Sequence, residues 1–391
     1  MRIRRGTTVA PGLADDRGLA GERMATGMDI LVRMPNWLGD AVMAVGFLNR
    51  LKEVHPDACV HAIVREGLGD LVRMLPQIHV VHRIRPDQGA SLSGAHRLGR
   101  QIAASGGFDL FFCLPPSFSS AFMGFFTRSR QRVGYRGQWR SWALTRAYTK
   151  PAGMHRVAAY AHLLHEYLPS AVRGLEVSIT PGAAHGCPGF TGGEGRFIGL
   201  NINSEAASRR LSPGRGAVIA DAVVEAFDCT VVLIGTEFQA TRTAALAAAM
   251  RRRERCIDMA GKTTLPQLAW LLAELHAFVT VDSGPAHLAN AVGTTTVALF
   301  GAGDDTRTAP WDAARLRVLR AHDSPCQMCG ENDCRQGTPF CLDDIAVESV
   351  VAAIRALTAF DACPRNVGPS VVREECQDAS TRLTPAETRL D

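Results

Sequence analysis

The stretch 277–301, AFVTVDSGPAHLANAVGTTTVALFG, leaves the chain few folds to choose from. Its residues 278–281 form an apolar, β-branched run, the pattern of a strand buried in a parallel sheet. The run ends at Asp282-Ser283-Gly284, where turn-forming residues cluster. Pro285 then suits the first turn of a helix, because its missing N–H would be unpaired there in any case. The helix continues through 286–292, Gly293 closes it, and 295–300 is a second β-branched strand. In such a unit the polar turn lies at the carboxyl end of a strand, where open α/β sheets bind ligands. The helix start offers free backbone N–H groups and a positive dipole end, so an anion, most often a phosphate, is the natural guest. Asp282 and His287 are the strongly functional side chains of the stretch.

The same alternation runs through most of the chain. Strands are expected at 29–34, 58–64, 79–84 and 108–114, with helices at 41–54, 68–75, 98–104 and 156–168. Around 178–196 the composition shifts to Gly, Pro, Ala and Thr, which reads as a linker. Strands then resume at 197–203, 229–235, 256–258, 277–281 and 295–300, separated by helices at 214–227, 239–252 and 265–275, and 347–360 is a closing helix. Two successive runs of βα units predict an α/β protein of two Rossmann-like domains facing a central cleft. The boundaries are a leader at 1–27, a first domain at 28–180, a linker at 181–196, a second domain at 197–361 and a tail at 362–391. The arginine- and glycine-rich leader has no apolar core, so it is no secretory signal, and Met28 opens the first clean strand. The leader reads as disordered or as a mis-called start, and the tail as disordered. Neither domain carries GxGxxG, so a dinucleotide oxidoreductase loses its main support.

A net charge of +5 is too small to argue for nucleic-acid binding. The 11 cysteines stand mostly alone in apolar runs, as reduced thiols of a cytosolic protein do. No window reaches the roughly 18 unbroken apolar residues of a membrane span.

The turn at 35–40, PNWLGD, mirrors the one after Val281: a strand end, a glycine and a carboxylate at a helix start. Asp40 is either a helix-capping carboxylate, favourable at the positive dipole end, or a general base facing the cleft. Together, ILVRMPNWLGDAVMA and VTVDSGPAHLANAVGTTTVALFG resemble the ADP-heptose:lipopolysaccharide heptosyltransferases, glycosyltransferase family 9, and within it the heptosyltransferase II-like members. The two motifs fall in the right order and in different domains, and the resemblance spans 28–360. It implies a GT-B fold, with the acceptor on the N-terminal domain and ADP-heptose on the C-terminal one. The implied reaction is an inverting, metal-independent transfer of heptose from ADP-L-glycero-D-manno-heptose to the inner core of lipopolysaccharide, on a heptose or Kdo-lipid A acceptor. No cofactor is required, and ADP-heptose is the donor substrate.

Carried onto this chain, the resemblance makes Asp40 the base that takes the acceptor proton, with Asn36, Trp37 and Gly39 of the same turn on the acceptor side. Asp282, Ser283, Gly284 and His287 match the loop that holds the diphosphate and sugar. Glu237, in LIGTE, matches a carboxylate on the ribose. In NINSEAASRRLSP, Arg209 or Arg210 would balance the departing diphosphate. The sequence departs from the family here, because Leu211-Ser212-Pro213 stands where Trp-Pro follows a lysine, which leaves open which arginine acts.

Two features remain. Residues 110–165 contain no Asp or Glu but many arginines, among them Arg132, Arg136 and Arg156, interleaved with aromatic residues. The segment reads as an ordinary solvated face, as a single-strand nucleic-acid surface, or, given the family, as the contact for an acidic acceptor at the cytoplasmic face of the anionic inner membrane. Arg132 and Arg136 are its acceptor-side candidates, and the resemblance implies peripheral membrane association without nucleic acid. Cys326, Cys329, Cys334 and Cys341 are enough for tetrahedral zinc. They read equally as free thiols or as a loop closed by disulfides, and the family chemistry needs no metal there. Rival functions are a GT-B transferase using another nucleotide sugar or acceptor, and a non-catalytic nucleotide-sugar-binding protein.

Overall fold

The computed structural model describes residues 27–358, apart from 90, 170–173, 183–185, 191, 193–194, 322–323 and 325. The leader at 1–26, part of the linker and the tail lie outside the described residues. The first sheet is built from β1 (Asp29–Arg33), β2 (Cys59–Arg65), β3 (Val80–Ile84), β4 (Leu110–Cys113), β5 (Gln131–Tyr135) and β6 (Arg146–Tyr148). The second holds β7 (Phe197–Asn201), β8 (Thr230–Leu233), β9 (Cys256–Asp258), β10 (Ala277–Val281), β11 (Thr296–Leu299) and β12 (Leu316–Leu319). Their orders are β3-β2-β1-β4-β5-β6 and β12-β11-β10-β7-β8-β9, so both sheets are wired alike. Every pairing is parallel. In each, the chain starts at the centre, fills one side, then crosses back to fill the other. The crossing point lies between β1 and β4, and between β7 and β10, and ligands bind at such switch points. The α/β expectation of two Rossmann-like domains in a GT-B arrangement therefore holds.

Parallel strands covered by helices on both faces must be apolar on both faces. β4 shows this: Leu110, Phe111, Phe112 and Cys113 are all buried. Phe112 meets Phe47 edge-on at 5.2 Å on one face. On the other, Phe111 lies beneath the helix Phe118–Phe126, where a Cβ on Gly124 would fall 2.1 Å from its ring.

Three strands, the helix Phe118–Phe126 and the one-turn helices Pro86–Gly89, Asp305–Thr308 and Phe340–Asp343 escape the sequence reading. β5, β6 and β12 are short, each contains arginine, and β6 and β12 are half-exposed edges, so their apolar periodicity is weak. The helix Phe118–Phe126 is too uniformly apolar to show an amphipathic period. The helix expected at 41–54 starts earlier and divides at Ala44 into Leu38–Met43 and Val45–Val54. Among the described residues, no helix is long and apolar enough to cross a membrane.

The domains also meet along a seam beside the cleft. His155 Nε2 lies 3.0 Å from Ala309 O, the Trp311 indole donates to Leu175 O at 2.8 Å, and the Ile179 amide donates to Ala291 O at 2.9 Å.

Gly124→Ala tests the packing of the first sheet. Alanine gains about 1 kcal/mol of helix propensity over glycine, but overpacking against Phe111 costs about 1–3 kcal/mol. The expected net result in urea unfolding is a loss of stability, where an exposed helical glycine would show a gain.

Candidate active site

β1 ends at the buried Arg33, whose guanidinium bonds the carbonyls of Met34 and Ile63 and the side-chain oxygen of Asn36. Burial lowers its pKa to about 10, so it stays charged at neutral pH and fixes the turn from behind. Asn36 is thereby fastened to the turn. Trp37 is 57% exposed, with the Arg65 guanidinium 5.8 Å from its ring centroid, and it forms an outer wall. The helix Leu38–Met43 follows, and no side chain caps it.

Asp40 does not cap its own helix. Its Oδ1 accepts from Arg156 Nη1 at 2.5 Å. Arg156 opens the helix Arg156–Tyr167, where a cation opposes the helix dipole, so its place there needs an outside partner. Burial works to lower the Arg156 pKa. Asp40, the hydrogen bond to it, and Asp282 of the other domain outweigh that effect and leave it raised. Next to this pair, burial and then the Asp40 charge push the Tyr160 phenol well above its ordinary value, so it remains a neutral donor.

On the second sheet, Asn201 at the end of β7 donates to Thr280 Oγ1 at 3.1 Å and Ser283 Oγ at 2.9 Å. Ser204 Oγ donates to Asp282 O at 3.0 Å. These bonds set the turn that opens the helix Gly284–Ala291. No side chain caps that helix, so its first N–H groups stay available to a ligand. The Asp282 carboxylate is buried, with Arg209 Nη1 3.0 Å from Oδ2. Burial raises its pKa against the opposing pull of Arg209, Arg320 and Arg156. Gly303 makes room for it, since a Cβ there would lie 2.0 Å from Oδ2. Arg320 braces that loop through Gly301 O and Gly303 O.

The two turns meet. A Cβ on Gly39 would lie 2.7 Å from the His287 ring, and one on Gly284 would lie 2.8 Å from Leu38 Cβ. The structure thus brings Asp40, Gly39, Asp282, Ser283, Gly284 and His287 together. His287 is buried, and its Nδ1 has no hydrogen-bond partner among the described residues. Burial, then His155 and Arg156, lower its pKa to about 3, so at neutral pH it is an uncharged imidazole with an unused polar atom.

The two arginines of the 201–213 loop separate clearly. Arg209 reaches Asp282, while Arg210 folds back onto Ser204 O at 2.7 Å and Glu205 O at 2.8 Å. Ser208 holds this loop to the cysteine-bearing segment, through Asn332 O at 2.9 Å and Glu331 O at 2.6 Å. Glu237 is exposed on a turn after β8. Its backbone is pressed against Gly261, whose φ of +72° and tight surroundings both call for glycine.

Arg132 is not brought to Asp40. Its Nη1 donates to Ser129 O at 2.9 Å and its Nε to Ala143 O at 2.7 Å, which turns it toward the amino end of β5. A strand of period two decides which face a residue takes but not which way a long side chain leans, so sequence could not tell. Arg136 sits at the carboxyl end of β5 and donates to Ala147 O at 3.0 Å. Cys326, Cys329, Cys334 and Cys341 are free thiols. Burial, then the thiols of Cys326, Cys334 and Cys329, push Cys341 up to about 11, so the four gather in one region. They do not close around one point: among the described residues, the one group of three or more potential ligands within 4.8 Å of one another is Asp29, Cys59 and His61.

Sequence reasoning placed Arg156 only in the basic segment, and assigned no site role to Asn201, Ser204 or Arg33. Arg156 had a readable signal, a cation opening a helix against the dipole.

The pKa of His287 carries a stability prediction. With a folded value near 3 and an ordinary value of 6.5, protons bind the unfolded chain preferentially between those limits, so stability falls as pH drops from 6.5 toward 3. Between pH 6.5 and 5 this one group accounts for roughly 2 kcal/mol. Urea unfolding of His287→Gln at pH 7 and pH 5 is expected to show an acid loss smaller by about that amount than in the parent.

The sequence pattern of Glycosyltransferase family 9 (heptosyltransferase) matches residues 95–338. The chain is 27% identical to lipooligosaccharide heptosyltransferase 2 of Haemophilus ducreyi, over 85% of this chain and 100% of the relative. The structure of E. coli ADP-heptose lps heptosyltransferase II superposes with a TM-score of 0.74 at 24% identity, covering 86% of this chain and 100% of that one. E. coli heptosyltransferase WaaC with ADP-2-deoxy-2-fluoro heptose gives a TM-score of 0.66 at 15% identity, covering 84% and 99%. A pattern match over more than half the chain, with two site loops meeting between two Rossmann-like domains, places this chain in glycosyltransferase family 9, the heptosyltransferases.

Proposed function

We propose that this glycosyltransferase moves heptose from ADP-L-glycero-D-manno-heptose to the inner core of lipopolysaccharide, with inversion at the anomeric carbon and without a required metal. The observation that carries the reading is the meeting of Asp40, oriented by Arg156, with the uncapped helix start at Asp282 across the Gly39–His287 contact. The C-terminal domain takes the donor and the N-terminal domain the acceptor, with 28–180 and 197–361 as their extents.

In this mechanism the acceptor hydroxyl stands before Asp40 and gives it its proton as the new C–O bond forms at the anomeric carbon. The bond from that carbon to the phosphate oxygen breaks on the opposite face, through an oxocarbenium-like state. ADP leaves with its extra negative charge met by Arg209 and by the N–H groups at the start of the helix Gly284–Ala291. Ser283 and Gly284 approach the diphosphate through their backbone. His287, neutral, gives a hydrogen bond to sugar or phosphate, and Glu237 accepts from the ribose. Arg210 stiffens the loop that presents Arg209. Asn36, Trp37, Gly39 and Arg136 form the acceptor side.

The enzyme works at the cytoplasmic face of the inner membrane as a peripheral protein. Supporting this, Trp139 is 92% exposed and Trp142 is 54% exposed, and Trp142 packs on the rings of Phe118, Phe122 and Phe125. Arg132 lies over Phe125 at 5.4 Å. Exposed aromatic rings among arginines suit an anionic headgroup region.

Two measurements test the reading. In a screen for ADP release with ADP-heptose, ADP-glucose and UDP-sugars, ADP-heptose is expected to support turnover; turnover only with another donor would reject the assignment. Asp40→Asn is expected to lower kcat by about 10²–10⁴-fold while ADP affinity stays within about twofold. Unchanged kcat would remove Asp40 as the base.

A further inference from the structure

We infer that Asp29, Cys59 and His61 form a site for a borderline divalent metal ion of the Zn(II) class, at the amino end of the first sheet and away from the transfer cleft. Asp29 and Cys59 are register partners where β1 and β2 begin, and His61 lies two residues on from Cys59, on the same face. Their ligand atoms all lie within 4.8 Å of one another. The turn that carries Asp40 leaves β1 at its other end, so the cluster is independent of the proposed reaction.

The spacing suits a metal. Cys59 Sγ and His61 Nε2 are 3.4 Å apart. A tetrahedral zinc with Zn–S of ~2.3 Å and Zn–N of ~2.0–2.1 Å sets that edge at about 3.5 Å. A thiol–imidazole hydrogen bond would explain this pair, but it gives no reason for a carboxylate beside the same sulfur. Lys52, whose charge reaches Cys59, directs its ammonium to Pro56 O and Ala58 O.

The surroundings suit one as well. His61 Nδ1 is 3.1 Å from His82 Nε2. With the proton on His61 Nδ1 donated to His82, the lone pair of His61 Nε2 faces Cys59, the tautomer a ligand needs. The Phe108 ring meets His61 edge-on at 5.1 Å and His82 stacks at 5.4 Å, so the imidazole is held by packing. Asp29 is fixed through its amide, which donates to Asp109 Oδ2 at 3.1 Å. One nitrogen, one sulfur and one oxygen donor match zinc better than magnesium or calcium, which take oxygen ligands. Solvent takes the fourth position, and binding releases the Cys59 proton to water.

The test uses the full-length chain, stripped by chelator and titrated with Co(II), reading equivalents bound and the thiolate-to-cobalt charge-transfer absorption. Because Cys326, Cys329, Cys334 and Cys341 can also take an ion, the comparison is between the parent and Cys59→Ser, His61→Gln and Asp29→Asn, all with that loop intact. Each variant is expected to lose one equivalent and part of the charge-transfer band, and to lose the rise in Tm that Zn(II) gives the parent. His82→Gln is expected to weaken binding about 10–100-fold without abolishing it. Equal equivalents and identical spectra in the parent and the variants would overturn the site. If Cys59→Ser fails to fold, Asp29→Asn, which changes only the charge, carries the comparison by itself.

Discussion

Two glycines let the domains touch where the chemistry lies. Gly39 meets the His287 ring and Gly284 meets Leu38, so each turn fits the other only because neither glycine carries a side chain. The helices starting at these turns belong to different sheets, and both begin at the carboxyl ends of central strands. Bringing two such starts together puts two positive dipole ends on one small volume. A polyanion relieves that arrangement, and a neutral ligand has less to gain. For the donor proposed above, backbone geometry thus favours a diphosphate before any cation is counted.

The cations then fall into a chain across the cleft. Asp40 pairs with Arg156, Arg156 also feels Asp282, and Asp282 pairs with Arg209. Alternating charges of this kind leave each of the two carboxylates with a cationic partner, and removing one partner would strand the other charge. The weak link is Asp282. Its burial raises the carboxyl pKa despite three arginines, and Oδ2 has no hydrogen bond that meets good geometry. In the proposed reaction Arg209 is accordingly the cation most easily drawn to the departing phosphate. Asp40 differs, because its well-aligned contact with Arg156 keeps the carboxylate oriented.

Sequence carried the central framework because parallel strands buried on both faces advertise themselves. The residues 277–301 were legible as strand, turn, helix and strand, and the observed β10, Gly284–Ala291 and β11 follow that reading closely. Edge strands such as β6 and β12 were illegible for the opposite reason, since none of their residues is fully buried. At the site, local chemistry pointed to Asp40 and Asp282, whose turns are contiguous in sequence. Arg156 and Asn201 act on those turns from more than 75 residues away, at separations of 116 and 82. A cation at a helix start hints that Arg156 needs a partner, but no local pattern says that the partner is Asp40. The choice between Arg209 and Arg210 was likewise invisible, because it depends on which one the carbonyls of Ser204 and Glu205 capture.

The seam beside the cleft adds directional bonds to a buried apolar core that both domains share, Leu71 and Val72 on one side with Leu271 and Leu288 on the other. His155 to Ala309, Trp311 to Leu175 and Ile179 to Ala291 bind backbone to backbone or ring to backbone, and tolerate little sliding. His155 caps the very helix that Arg156 opens. Its link to Ala309 therefore ties the Asp40 partner to the donor-side domain by way of adjacent residues. A shift of one domain against the other moves Arg156 and Asp40 together relative to Asp282. The seam thus couples the position of the domains to the distance between the two carboxylates, and the glycine contact sets how near the two turns can come. Binding a donor between them acts on both at once.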